Sequence, residues 1–289
     1  MRTSAQISPP PQHHAGYTLI ELLVALALSS LAIGGLLQQY STSLRISADE
    51  QTRTFAAVRA QAVLESLGAE LRVLGNGVPY DQSNFQIGES TLSNPSVTHP
   101  IDLSSKGDVI IFRLNETGDV HLLTGDFDPG ATLTLALTST AGLSAGDAVY
   151  ISNSVVGGDD GLAGTIASVS GNSITLAASP VRSPAATFNM GSVLERVPAI
   201  SYSSSAEGIF RDAGLGPVLM APRGALTFEY LNADGVVLAL PLTETALIQE
   251  LRRIRVTIAV EADRELSDGS THTATLTQTY SLRNLNTHF

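Results

Sequence analysis

The stretch that decides the fold reads Gly16-Tyr17-Thr18-Leu19-Ile20-Glu21, and the apolar run LLVALALSSLAIGGLL follows it over residues 22–37. The carboxylate of Glu21 therefore lies near the start of a helix that is otherwise apolar enough for lipid. An unpaired charge in hydrocarbon costs roughly 2.5–3.5 kcal/mol, so we expect Glu21 to have a partner. With residues 17–20 included, the apolar helix reaches about 30 Å, which is enough to span a bilayer.

This order of glycine, glutamate and apolar run resembles the prepilin signal of type IV pilins and type II secretion pseudopilins. The resemblance implies that a prepilin peptidase cuts after Gly16 and that the new N-terminus, Tyr17, is methylated. It also implies that Glu21 serves assembly, because its carboxylate can meet the Tyr17 amine of a neighbouring subunit in the filament core. The alternative is an ordinary signal-anchor helix whose glutamate reaches the membrane interface.

The leader, residues 1–16, is polar and Pro-rich, and the candidate cut precedes the apolar segment. A secretory signal has the opposite order, so here the apolar helix is expected to stay attached as the membrane or filament core over residues 17–40. The resemblance implies a single-pass protein of the bacterial inner membrane with its head in the periplasm. After assembly, the protein would be part of a pilus or pseudopilus.

Beyond the membrane segment, apolar residues recur at steps of three and four and predict an amphipathic continuation of the helix over residues 41–75. The expected apolar stripe consists of Phe55, Val58, Ala62, Leu64, Leu67, Leu71 and Leu74. The tripeptide Gly75-Asn76-Gly77 predicts the end of the helix, because glycine readily adopts the left-handed conformation that terminates helices.

After residue 106 the sequence changes to short alternating segments separated by Gly, Asn and Asp, which predicts a β-rich head over residues 76–289. The fold class expected is α+β, with the long N-terminal helix packed on an antiparallel head. A compact β subregion is expected at about 131–179, and a short helix capped by Thr243 before a half-buried strand at 254–260. The other expected strands are 108–114, 120–123, 132–137, 148–153, 164–169, 173–178, 192–202, 208–211, 225–230, 236–240 and 271–282.

The second half of the chain also resembles the large PilW-type minor pilins and, more distantly, the J-type pseudopilins. The resemblance implies a structural subunit that primes, caps or decorates a pilus. Its implied partners are other major and minor pilins, which it meets through the N-terminal helix, together with the prepilin peptidase and the inner membrane. The residues that carry the resemblance are 197–202, Gly208-Ile209-Phe210-Arg211, 226–230, 254–260 and Ser281-Leu282-Arg283-Asn284.

Composition and motifs argue against several other functions. The formal net charge of −11 disfavours a broad basic surface for nucleic acid. The chain has no cysteine, and its six histidines are not at metal-ligand spacing. Because neither a phosphate loop nor a nucleophile elbow is recognisable, we expect no enzymatic activity and no cofactor.

Two acidic turns offer oxygen ligands of the kind that Ca²⁺ prefers, at Asp126 and Asp128 and at Asp159 and Asp160. Neither turn fits the twelve-residue calcium loop, and Asp and Gly are also the residues that β-turns require. Solvated turns are therefore the expected role of these aspartates. A membrane-anchored adhesin or binding module, with residues 131–179 recognising a surface or glycan, is the alternative from another class of function.

Overall fold

The computed structural model describes residues 18–77, 100–152, 161–177, 187–243 and 246–282. Helix α1 runs from Leu19 to Val73, and the strands that follow are all paired antiparallel. The predicted α+β class is thereby confirmed. By its contacts the chain forms two units, Met1–Gln51 and Thr52–Phe289.

In the first unit, α1 is apolar and exposed. Its side chains are solvent-accessible from Thr18 through Ala48, including a 78% exposed Leu19. One window of 18 residues has a mean hydropathy of 2.2 and no buried residue, so by length and composition α1 is able to cross a membrane.

In the second unit, α1 packs against the head with a face that only partly matches the predicted stripe. Leu64, Leu67 and Leu71 are buried as predicted, but Phe55 is 64% and Val58 57% exposed. Ala62 is exposed as well, so this part of the predicted stripe was wrong. The buried positions there are smaller residues, namely Ala56, Ala60 and Val63.

The reason is the close approach of the helix to the sheet. Ala56 lies in a buried cluster with Ala262 and Ala274, which come from two neighbouring strands. Three methyl groups allow the two backbones to come near each other, whereas a phenyl ring at this position would hold them apart. Hydrophobicity alone therefore selected the wrong face of this turn of the helix.

Polar and aromatic contacts add to this packing further along α1. The Arg211 guanidinium lies 2.8 Å from Glu70 of the helix and 2.7 Å from Glu116. The Tyr280 hydroxyl donates to Leu64 O at 3.0 Å, and its ring faces Gly68. Each contact ties a helix residue to a different part of the head.

The helix ends where the glycines predict. Gly75 and Gly77 have φ angles of 82° and 77°, which most L-residues avoid. The Gly75 amide donates to Arg113 O at 3.2 Å, so the terminating turn is joined to the first strand.

The strands in the described residues form three antiparallel sheets of four, three and six strands. The first two sheets and α1 enclose one hydrophobic core, which contains Phe112, Tyr202, Phe228 and Tyr230. The strand bounds are β1 Val109–Arg113, β2 Val120–Leu122, β3 Thr134–Ala136, β4 Ala148–Ser152, β5 Gly161–Ser170, β6 Ser173–Leu176, β7 Val193–Arg196, β8 Ala199–Ser205, β9 Gly208–Asp212, β10 Val218–Pro222, β11 Gly224–Leu231, β12 Arg253–Glu265 and β13 Thr271–Ser281. The strand orders in the three sheets are β1-β8-β9-β10, β11-β12-β13 and β2-β7-β4-β5-β6-β3.

The third sheet closes on itself. Beyond its end strands β2 and β3, Leu123 bridges Leu137, and Thr124 N donates to Ala136 O at 2.9 Å. The result is a six-stranded barrel with its own core, which includes Phe127 and Phe188. Strands β2 and β7 lie outside the interval 131–179, so the barrel is larger than the subregion expected from the sequence.

Several local predictions need correction. The single strand expected at 192–202 is two strands, β7 and β8, which are separated at Val197-Pro198 and belong to different sheets. Proline has no amide hydrogen to continue a ladder, which explains the break. Strand β10 was not predicted, and at 236–240 only an isolated bridge between Leu231 and Val237 forms.

The expected short helix is present as a π-helical turn, Ala246–Glu250. The Thr243 hydroxyl accepts a hydrogen bond from Ala246 N at 3.1 Å. The predicted cap is therefore confirmed, although the helix is shorter than the sequence indicated.

Candidate functional site at the start of the helix

The first turn of α1 is held by a reciprocal cap between Thr18 and Glu21. Thr18 N donates to Glu21 Oε2 at 2.9 Å, and Glu21 N donates to Thr18 Oγ1 at 3.3 Å. The Thr18 hydroxyl also donates to Oε2, at 3.2 Å. This is the capping-box arrangement, in which a Thr and a Glu three residues later each satisfy a backbone amide that has no helical partner.

The cap fixes where the carboxylate points and gives it a structural role. Leu22 N donates to Thr18 O at 3.2 Å, so the helix begins immediately after Thr18. The negative charge of Glu21 in the first turn also interacts favourably with the positive end of the helix dipole. Within the described residues, all the hydrogen bonds that the carboxylate accepts end on Oε2.

The surroundings of Glu21 are apolar. A shallow groove on α1 is lined by Ile20, Glu21, Val24, Ala25 and Leu28. Among the described residues that line this groove, Glu21 has the only ionisable side chain, and it is exposed. A protein or lipid surface that covers the groove must therefore solvate or neutralise one carboxylate while burying aliphatic side chains.

Of the residues predicted from sequence, only Glu21 lies in the described part of this site. Gly16 and Tyr17 lie outside the described residues, so the cut after Gly16 and the methylation of Tyr17 stay predictions. Thr18 was missed as a functional residue. Its signal was present, because Thr followed three residues later by Glu, just before an apolar run, is a sequence signature of a helix start.

The acidic turns give no second site in the described residues. Asp128 Oδ1 accepts from Gly130 N at 2.8 Å, and Asp126 Oδ1 accepts from Met190 N at 2.9 Å. Both carboxylates therefore brace loops. Asp159 and Asp160 lie outside the described residues, and within the described ones no group of three His, Cys, Asp or Glu side chains is placed to hold a metal ion.

Comparison with known proteins agrees with the N-terminal site. A family model described as the prokaryotic N-terminal methylation motif matches residues 11–37, which include the capping box and all the residues that line the apolar groove. A search of curated proteins found no match. The chain therefore carries the N-terminal motif of type IV pilin-like proteins and pseudopilins, on a single apolar helix suited to membrane anchoring. The motif implies processing by a prepilin peptidase.

Proposed function

We propose that this chain is a minor type IV pilin, a structural subunit and not an enzyme, that primes, caps or decorates a pilus after cleavage at Gly16. The observation that carries the proposal is the methylation motif at residues 11–37 on an exposed apolar helix. The same helix continues to Val73, and its later turns are part of the core of the head. One element thus serves as membrane anchor, assembly surface and support for the head.

In this proposal, Glu21 guides the transfer of the helix from the membrane into the filament. In the bilayer its carboxylate lies next to the helix start, where the Thr18 amide and hydroxyl hydrogen-bond to it. In a filament of packed helices the groove around Glu21 is covered, and the charge then needs a cation. The Tyr17 amine of a neighbouring subunit provides that cation, and the pairing sets the axial position of one subunit against the next.

The head favours a minor rather than a major subunit. Besides the sheets that pack on α1, its described part contains a closed barrel with a hydrophobic core of its own. A bulky and irregular head packs poorly if it is repeated at every position of a uniform filament. A subunit at the tip, or one present in few copies, avoids this repetition.

The decisive test is mass spectrometry of the N-terminal peptide from native cells, with and without the prepilin peptidase. We expect a peptide that begins at methylated Tyr17 and that is replaced by the intact leader when the peptidase is absent. The variant Gly16→Val, which blocks the cleavage site without touching the helix, should keep its leader in both strains. An intact leader on the native chain in peptidase-competent cells would refute the proposal and favour the signal anchor.

A type II secretion pseudopilin is the alternative within the same class, because the methylation motif is common to both. Deleting the chain separates the two. A loss of pili with secretion unchanged supports the pilin, whereas a loss of protein secretion with pili unchanged supports the pseudopilin.

A membrane-anchored binding module is the candidate from another class, and the closed barrel favours it because a separate core can carry a binding surface. Such a module would act without other pilins. The test is binding of the purified chain to cells or glycans. Binding that is undiminished in the variant Glu21→Gln, and in chain that was produced in a strain without pili, would support the binding module over the pilin.

A further inference from the structure

The two largest hydrophobic clusters in the described part of the head are built from different elements. The core next to α1 combines residues of the helix, the sheet of β1 and the sheet of β11. The core of the barrel combines residues from β3 to β7 with Phe127 and Phe188, and it contains no residue of α1. Since each cluster is enclosed by its own elements, neither needs the other to exclude water.

The barrel is inserted at one point of the chain, between strands β1 and β8, which are neighbours in the same sheet. Strands β1 and β8 pair antiparallel, and Arg113 opposite Ala199 is their last pair before the barrel. A chain that leaves one strand and returns on its antiparallel neighbour needs only a short turn. Here the whole of residues 114–198 stands in the place of that turn.

The junction is mainly polar. Arg113 Nη1 donates to Val197 O at 3.3 Å, and Asn115 N donates to Asn76 O at 2.8 Å. The Arg211 guanidinium of β9 also lies 2.7 Å from Glu116 Oε1 across this junction. Hydrogen bonds of this kind orient two bodies, but they do not merge their cores into one cooperative unit.

In the described residues, the two ends of the barrel sheet also meet each other, and none of its strands pairs with a strand of the other two sheets. Its end strands are joined through the bridge between Leu123 and Leu137, so it requires no strand from the rest of the head. An inserted domain typically has a closed sheet, a hydrophobic core of its own and a single site of insertion in the chain.

We propose that residues 115–197 form an inserted domain that folds independently of the pilin-like head, and that assembly resides in the remainder of the chain. The second clause rests on the proposed function, and the first does not. Under this division, α1 and the sheets of β1 and β11 make the filament subunit. The barrel is a separate domain that the filament carries and displays.

Independent folding is tested in the full-length protein by hydrogen exchange of peptides from the two regions. Ile151 in the barrel and Ile258 in β12 are both fully buried, which makes Ile151→Ala and Ile258→Ala a matched pair. We expect Ile151→Ala to speed exchange more than about tenfold in barrel peptides only, and Ile258→Ala to do so only in peptides from α1 and the sheets of β1 and β11, which share the core that contains Ile258. Equal acceleration in both regions by either variant would overturn the proposal.

The division of roles is tested by replacing residues 115–197 with the tripeptide Gly-Asn-Gly. We expect β11–β13 to keep their exchange rates within about threefold, and the shortened chain to enter filaments as the full chain does. A shortened chain that keeps the protected β11–β13 sheet but stays out of filaments would overturn the assignment of assembly to the remainder. Failure of the proposed function itself is distinguishable, because the full-length chain would then be missing from filaments too.

Discussion

The contact between Gly68 and Tyr280 predicts that one substitution, Gly68→Ala, lowers or raises the stability of the head depending on the residue at position 280. Gly68 lies on the buried face of α1, where an added Cβ would lie 2.6 Å from Tyr280 Cε1 and 2.7 Å from Cζ, and closer still to the hydroxyl. Tyr280 is itself buried, with its hydroxyl bound to Leu64 O. The ring therefore has no inexpensive way to move.

The magnitude follows from three opposing effects. Overpacking a tight contact costs about 1–3 kcal/mol. Displacing the tyrosine hydroxyl from Leu64 O adds about 1 kcal/mol, while Ala is better than Gly inside a helix by about 1 kcal/mol. We therefore expect Gly68→Ala to destabilise the head by about 1–3 kcal/mol. In a Tyr280→Leu background, where the obstructing ring atoms are gone, the same change should stabilise by up to about 1 kcal/mol.

The assay is urea unfolding of the full-length protein in mild detergent, followed by circular dichroism. Ala69→Gly is the matched control, because Ala69 is the next residue on α1 and is exposed. It should cost about 1 kcal/mol in both backgrounds. Stabilisation by Gly68→Ala in the otherwise unchanged chain would refute the close packing of β13 on the helix.

Three further predictions concern the rest of the second unit, each measured by the same unfolding assay. Arg211→Met should destabilise by about 2 kcal/mol, because Glu70 is left largely buried without its cation, and adding Glu70→Gln should recover part of this loss; an unchanged urea midpoint would contradict the ion pair. Burial raises the pKa of Tyr202 from its ordinary 10 to about 12, so the unfolded chain loses this proton first and stability should fall as pH rises from 10 to 12. Tyr202→Phe should show a smaller fall, and an equal fall in both proteins would exclude Tyr202 as the cause. Phe55→Ser should change stability by less than about 0.5 kcal/mol while Ala56→Leu costs about 1–3 kcal/mol, and the reverse order would restore the stripe predicted from hydrophobicity.

Local signals were sufficient to place Glu21 at the start of the apolar helix and to predict the ends of several elements. Glu21 was identified because burying a charge within an apolar run is costly unless the charge has a partner. The end of the helix near Gly75 was identified because glycine tolerates a positive φ angle. The same holds for the cap at Thr243 and for the alternation at 254–260 inside β12. In each case the relevant interaction partners lie within a few residues along the chain.

Signals that depend on distant residues were missed. The face that α1 buries at Ala56 depends on Ala262 and Ala274, which lie far away in sequence. The break at Pro198 could be suspected locally, but the assignment of β7 and β8 to different sheets could not. Strand pairing is a contact between remote segments, and no periodicity within one segment encodes its partner.

The sequence by itself determined the long N-terminal helix, the position of the single carboxylate in its apolar segment, its end, and the change to β-structure beyond residue 106. These features follow from the local cost of burying charge and from backbone preferences of individual residues. Only the tertiary structure decided which side of α1 contacts the head, that strands β2 to β7 close into a barrel, and that this barrel occupies the place of a turn between β1 and β8. Closure and insertion depend on which distant strands come together, and that choice is made by the packing of whole surfaces rather than by any stretch of sequence.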